Sequence, residues 1–214
     1  MALNKLKFNS LNVTPTAGKT VGFNSDADGL EATFSGGAMT FISKSTASSS
    51  STINFTSGID STYKEYIFVF KDIHPATDNV NFTFNMSIDG GSNYNVTKTT
   101  SVFYATHLEN DGGQELAYLT QRDLAQSTSD QQISSELGNG SDECTSGYLQ
   151  IFNPSSSVFV KHFLSSLSDN TFHERCSRWD VAGYGNTTSA VDAVQFKMSS
   201  GNIDAGTITL YGIN

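Results

Sequence analysis

The chain has few of the residues that mark disulfide-rich or membrane-spanning proteins. It has two cysteines and three prolines in 214 residues. Two cysteines do not make a disulfide framework, and we expect Cys144 and Cys176 to be free thiols, although a single bridge between them stays open. No apolar run approaches the ~18 residues of a membrane span, and the first residues lack the apolar stretch of a signal peptide. We therefore expect neither secretion nor membrane insertion.

Positive charge is also scarce. Twelve Lys and Arg face 21 Asp and Glu, which gives a net charge of -9 and a pI of about 4.7. The basic residues are scattered and form no stripe along the sequence. A chain with this balance is repelled by phosphate backbones and by anionic lipid surfaces. Nucleic acid is therefore excluded as an expected partner.

Aromatic and neutral polar residues are plentiful instead. The chain has 15 Phe and 8 Tyr, while charged residues make up only 15% of it. Disordered chains are poor in aromatics and rich in charge, so this composition indicates a folded protein. The abundant Ser, Thr, Asn and Gly indicate many turns and outer faces that carry hydroxyl and amide groups.

The pattern of apolar residues has a period of two. Alternation is clearest over residues 80–88, and it returns at 194–198 and 208–211 near the end of the chain. Such alternation is typical of strands with one buried face. No helical layer alternates with these segments, so we predict an all-β fold. Many short strands separated by Gly, Asn and Ser turns favour an antiparallel β-sandwich of jelly-roll type.

The same pattern gives approximate strand positions. The segment 65–71 reads as a strand buried on both faces, residues 114–126 fit a short helix or a strand equally, and 123–146 reads as a long surface loop. The predicted strands are at about 39–42, 53–55, 65–71, 80–88, 100–107, 115–120, 147–153, 157–164, 171–179, 190–199 and 206–213.

Residues 1–37 differ from the rest and suggest a separate segment, with the sandwich at 38–214. Short apolar groups are followed there by small and polar residues and then by acidic ones. One interpretation is an extended arm that attaches the protein to a neighbouring subunit; the other is a β-edge of the same domain. The candidate attachment residues are the apolar ones: Leu6, Phe8, Leu11, Val21 and Phe23.

The sequence contains no recognisable reaction centre. It has no Gly-x-Ser-x-Gly nucleophile elbow, its four histidines are far apart, and no Cys/His cluster has zinc-ligand spacing. Residues 87–94, Ser-Ile-Asp-Gly-Gly-Ser-Asn-Tyr, resemble the Asp-box of sialidase-type propellers, which is a hairpin device rather than a catalytic motif. We therefore predict a protein that is not an enzyme, with no metal and no cofactor.

Aromatic side chains give the one candidate ligand site. A sugar ring can stack on an aromatic ring that is exposed on a sheet or loop. Trp179 is the best such candidate, with Tyr94 and Tyr184 as further candidate glycan contacts.

Three segments together resemble virion proteins of tailed bacteriophages. They are the hairpin 87–94, the segment Gly147-Tyr-Leu-Gln-Ile-Phe-Asn-Pro154, and above all the ending Phe196-Lys-Met-Ser-Ser-Gly-Asn-Ile-Asp-Ala-Gly-Thr-Ile-Thr-Leu-Tyr-Gly-Ile213. The chain is similar to the small β-sandwich structural proteins of marine and cyanobacterial phages, over about residues 60–214. No catalytic or binding residue is carried over with this resemblance.

The resemblance implies a virion structural protein, assembled in the host cytoplasm and displayed at the particle surface. A tail fibre or tail appendage component that contacts the host is the first expectation. A capsid decoration protein and a carbohydrate-binding module for host surface glycans are the alternatives. The implied partners are other virion proteins of the tail or capsid, further copies of the chain, and a host surface glycan. A trimer is one candidate for the assembly of several copies.

Overall fold

The computed structural model describes residues 20–23, 30–34 and 38–213. Within these ranges the chain is built almost wholly from antiparallel strands, and its only helical element there is a single 3-10 turn at Thr120–Arg122. The strands are β1 (Thr20–Phe23), β2 (Leu30–Phe34), β3 (Met39–Thr46), β4 (Ile53–Phe55), β5 (Glu65–Pro75), β6 (Val80–Ser87), β7 (Lys98–Leu108), β8 (Glu115–Tyr118), β9 (Gln131–Leu137), β10 (Thr145–Phe152), β11 (Lys161–Thr171), β12 (Arg175–Gly185), β13 (Ala193–Met198) and β14 (Ile203–Ile213).

The chain divides into two compact units, Met1–Ala38 and Met39–Asn214. In the first unit, β1 and β2 pair antiparallel, with Phe23 opposite Leu30, and form a two-stranded sheet of their own. The sequence left this region open between an arm and a β-edge of the sandwich. Its role in attachment stays a prediction.

The second unit is a β-sandwich of two unequal sheets. Eight strands pair in the order β3-β14-β5-β10-β11-β12-β7-β8, and four pair in the order β9-β6-β13-β4. A single bridge between Thr171 and Leu137 joins β11 to β9 and so links the two sheets. Every pairing is antiparallel, which confirms the predicted all-β antiparallel sandwich; its assignment to the jelly-roll type stays a prediction.

The core lies between the sheets because alternate residues of each strand point inward. The ring of Phe196 on β13 is at its centre. Its centroid is 5.2 Å from those of Phe68 and Phe70 on β5, 5.9 Å from that of Phe82 on β6, and 6.2 Å from that of Phe55 on β4. Aromatic rings at these separations attract one another beyond the area they bury, so this cluster holds the two sheets together.

Some strands differ from those expected. The segment 65–71 has one buried face, with Tyr66, Phe68 and Phe70 inward, and its other face is half-buried. The prediction that both of its faces are buried is therefore wrong. Residues 114–126 hold β8 and the 3-10 turn, and no α-helix.

Two further boundaries were predicted wrongly. The expected loop 123–146 contains β9, whose side chains are mostly polar yet buried. The strands expected at 157–164 and 171–179 are one hairpin, β11 and β12, paired without a break from Lys161 opposite Gly185 to Thr171 opposite Arg175. The polar stretch at 165–170 looked like a turn in the sequence, but it continues β11.

Candidate functional site

The eight-stranded sheet has an outer face, the side opposite the core, and this face carries many exposed apolar side chains. Its strands are in register, so that Tyr148, Ser166, Asp180, Phe103 and Tyr118 form one row across β10, β11, β12, β7 and β8. The exposed apolar residues at outer-face positions are Met39, Phe41, Phe103, Leu116, Tyr118, Tyr148 and Leu164. The same face also carries the charged residues Lys44, Glu65, Lys71, Arg178 and Asp180, and Arg178 pairs with Asp180 at 2.9 Å.

A groove of about 450 Å³ lies in this face where β10, β11, β12 and β7 adjoin. Phe152, His162, Leu164 and Tyr184 line it, and Ala182 contributes only a methyl group. The His162 and Tyr184 rings lie 6.0 Å apart on neighbouring strands. The groove has the size of sites that take small molecules or single side chains, roughly 300–1,000 Å³, and its lining is mainly apolar.

Beside the groove, the turn between β10 and β11 holds Val158 and Phe159 out toward solvent. The two side chains are 68% and 66% exposed, and we call this pair the knob. The Ser156 hydroxyl oxygen accepts hydrogen bonds from the backbone N–H groups of Val158 (3.1 Å) and Phe159 (2.9 Å). A turn fixed in this way presents the two side chains in a defined position.

The buried side chain of Lys161 braces the same turn. Its Nζ donates to the carbonyl oxygens of Ser156 (2.6 Å), Phe159 (2.7 Å) and Thr187 (3.2 Å). Burial lowers the pKa of Lys161. Three carbonyl acceptors replace the water that the ammonium group loses, which is what a buried charge requires. The knob is therefore part of the folded framework.

The Ser87–Tyr94 hairpin is well ordered by its own hydrogen bonds. Asp89 accepts from the Ser87 hydroxyl (2.7 Å), from the backbone N–H of Asn93 (2.8 Å) and from the Asn93 amide (2.7 Å). The amide of Asn93 and the hydroxyl of Ser87 are the main reasons that the pKa of Asp89 falls to about 2. Gly90 and Gly91 have φ of 70° and 85°, which glycine adopts at little cost. These contacts agree with a structural role for this motif.

The candidate glycan contacts do not form one site. Trp179 is only 5% exposed and stacks on Tyr104 with centroids 5.7 Å apart, so neither ring face is open to a sugar. Tyr184 lies on the opposite face of β12, in the groove. Tyr94 is half-buried against its own hairpin, and burial is the main cause that raises its pKa.

A small polar cavity of about 110 Å³ lies beside the Trp179 ring. Arg175 and Glu136 form an ion pair on its wall. The cavity is close to the space of a few water molecules, which is too small for a sugar ring stacked on Trp179. The sequence prediction of glycan contact at Trp179 gains no support from this arrangement.

The candidate attachment residues are only partly covered by the structure. Leu6, Phe8 and Leu11 lie outside the described residues. Val21 and Phe23 lie on β1, and both are exposed, Phe23 to 75%. Exposed apolar side chains on a short hairpin are free to contact another protein.

Among the described residues, three side chains that carry charge in water are buried. Two of them are the lysines Lys98 and Lys161, and the third is Asp169, which accepts hydrogen bonds from the hydroxyls of Ser134 (2.9 Å) and Thr145 (2.5 Å). Burial raises the pKa of Asp169 to about 7 and lowers that of Lys98 to about 8. Asp169 and Lys98 lie within the sandwich, away from the groove.

The described residues offer no metal site or membrane span. Among residues 20–23, 30–34 and 38–213, no three His, Cys, Asp or Glu side chains are grouped so that they could hold a metal ion. Within the same ranges, no helix has the length and apolarity needed to cross a membrane. Cys144 and Cys176 are free, as the sequence favoured.

The sequence did not reveal the knob or the groove. Val158 and Phe159 were expected inside a strand at 157–164, whereas the strand begins at Lys161. The signal that could have placed them in a turn is the preceding Asn153-Pro-Ser-Ser-Ser157, since Pro, Asn and Ser favour turns. The groove depends on strands far apart in sequence, so no local pattern predicts it.

Comparisons with known proteins add no further identification: no protein-family model matches the chain, and no curated protein matches it.

Proposed function

We propose that the chain is a non-enzymatic structural subunit of a tailed bacteriophage virion, most specifically a tail fibre or tail appendage component. The observation that carries the proposal is the outer face of the eight-stranded sheet, on which several large apolar side chains are exposed. Residues 60–214 resemble phage β-sandwich proteins, and this resemblance suggests that the assembly using such a face is a virion.

The outer face is large enough to form a protein interface. Eight strands about 4.8 Å apart, each about eight residues long at about 3.3 Å per residue, give a face of roughly 900 Å². Each partner in a standard interface contributes about 800 Å². Contiguous exposed apolar surface on a folded protein usually marks an interaction site. The face therefore suits a protein that works by assembling with others.

In this proposal the first 37 residues attach the protein to other virion proteins. The exposed Val21 and Phe23 on β1 are the described residues available for that contact. The sandwich is then displayed outward, where its neutral polar loops meet water or the host surface. The protein is assembled into the particle in the host cytoplasm.

Deleting residues 1–37 tests this attachment. We expect the remaining sandwich to fold, as judged by circular dichroism, and to be absent from purified particles when it replaces the full chain. The full-length variant Val21→Asp/Phe23→Asp should be depleted from particles in the same way, while Ile88→Asp, at an exposed apolar residue in the turn after β6, serves as the matched control. Unchanged incorporation of both altered chains would overturn the attachment role.

Two alternatives are separated by direct measurements. A capsid decoration protein would be present in a copy number that matches capsid subunits, whereas a tail component would be present in a few copies per particle. Quantitative mass spectrometry of purified particles distinguishes them. A carbohydrate-binding module would bind on a glycan array and lose that binding in Tyr184→Ala, since Tyr184 lines the groove.

A further inference from the structure

We propose that two copies of the chain dock through the outer face, with the knob of each copy inserted into the groove of the other. This contact names the partner of the outer face. It rests on the proposed function only in one respect: that function supplies the particle in which the contact would form. The partner is a second copy of this chain.

The knob and the groove lie near one end of the same hairpin. Phe152 and His162, which line the groove, immediately flank the turn that carries Val158 and Phe159. The knob does not fill its own groove, since both of its side chains are about two-thirds exposed. Among the residues that the structure describes, none fills the groove of about 450 Å³ or covers the two apolar side chains of the knob.

The placement of these features favours reciprocal docking. In a two-fold contact the same patch is used on both subunits, so that residue i meets residue j and j meets i. A patch that holds both a projection and a recess satisfies this requirement, because each copy offers the recess that the other needs. Two equivalent knob-in-groove contacts then form around one axis.

Charge also favours a contact at this place. Each copy carries a net charge of -9, so two copies repel each other at long range. The residues of the knob are uncharged, and the groove is lined by apolar, hydroxyl and imidazole side chains without a carboxylate. Two acidic copies can therefore meet here without burying like charges. The apolar area removed from water drives the association.

Sedimentation velocity of the full-length protein tests the contact. We expect a species of twice 23.0 kDa whose fraction rises with protein concentration. Phe159→Asp in the knob and Leu164→Asp in the groove should each weaken dimerisation at least about tenfold, since both place a carboxylate in an apolar contact. Both residues are exposed in the single chain, so circular dichroism should show an unchanged fold.

A mixing experiment tests the reciprocity. Phe159→Asp retains an intact groove and Leu164→Asp retains an intact knob, so a mixed pair regains one of the two contacts. We expect the mixture to form more dimer than either variant alone. Ile88→Asp is the matched control, because Ile88 is exposed and apolar but lies in the turn after β6, outside the eight-stranded sheet; it should dimerise like the wild type.

Several results would overturn the inference. They are a wild-type monomer at all concentrations, a trimer, a dimer that Phe159→Asp and Leu164→Asp leave unchanged, and a mixture that regains nothing. Loss of the dimer in Phe23→Asp alone would place self-association on the amino-terminal hairpin and leave the proposed function standing. An intact knob-dependent dimer that is absent from particles would reject the proposed function and leave this contact standing.

Discussion

Asp169 is the residue whose environment departs most from its ordinary one. Its carboxyl group is buried between the sheets, and only the hydroxyls of Ser134 and Thr145 donate to it. Desolvation disfavours the charged form, which is why its pKa rises to about 7. The folded state therefore keeps a proton on Asp169 at pH values where the unfolded chain has lost it.

We predict that the protein loses stability as the pH rises from about 4 to about 7. In that window the folded state binds more protons at Asp169 than the unfolded state does, so the free energy of unfolding falls as the pH rises. One unit of pKa shift corresponds to about 1.4 kcal/mol, so the total loss is a few kcal/mol at most. Asp169→Asn should remove most of this slope in urea unfolding, while Asp111→Asn on an exposed turn should keep it. An equal slope in Asp169→Asn would contradict the assignment.

Asp89 and Lys98, whose pKa values are also shifted, act outside that window. The pKa of Asp89 is lowered to about 2, so its stabilising contribution is complete above its ordinary value of 3.8 and is lost as the pH falls toward 2. The pKa of Lys98 is lowered from 10.5 to about 8, so Lys98 makes the free energy of unfolding depend on pH only above about 8. Neither group can mimic the slope expected from Asp169.

At the scale of single elements, strands with apolar alternation were predictable and polar strands were not. The segments 80–88, 190–199 and 206–213 correspond to β6, β13 and β14 because one face of each is apolar. The prediction that 80–88 has only one buried face is wrong, since Thr83, Asn85 and Ser87 on the polar face of β6 are buried as well. β9 was missed because four of its six buried side chains are polar. Gln131 accepts from Thr100 (2.7 Å), and Ser135 donates to Asn81 (2.9 Å). Partners that come from distant strands leave no local signal in the sequence.

The core element with the largest expected effect is β13, through Phe196. Replacing Phe196 by Ala removes a ring that contacts both sheets and should lower the free energy of unfolding by about 3–5 kcal/mol. Phe103→Ala, on the outer face, should cost less than about 1 kcal/mol, close to the usual range for surface changes. Chemical denaturation compares the two. A small loss in Phe196→Ala would show that the sheets do not depend on this cluster.

At the scale of the whole molecule, the class of the fold was predictable and the interaction surface was not. Period-two patterning fixes which residues of a strand face inward, but the strand order decides which outward residues become neighbours. The groove joins residues from β7, β10, β11 and β12. The apolar outer face is therefore a property of the topology, and the sequence alone pointed instead to residues 1–37 and to Trp179.

In the proposed function, the subunit has two places for contact, the outer face and the exposed apolar residues of β1. One is a broad sheet face that suits another copy of the chain, and the other is a short segment that suits a different protein. A subunit with two such contacts can be both displayed and held in a particle. The central claim is therefore that this chain belongs to the surface of a virion.

Electron microscopy of purified particles, labelled with an antibody against the sandwich, tests that claim most directly. The particles come from the phage that encodes the chain, and particles assembled without the chain serve as the control. We predict label on the tail or its appendages of intact particles. A chain that remains in the soluble host lysate, with no label on any part of the particle, would contradict the proposed function.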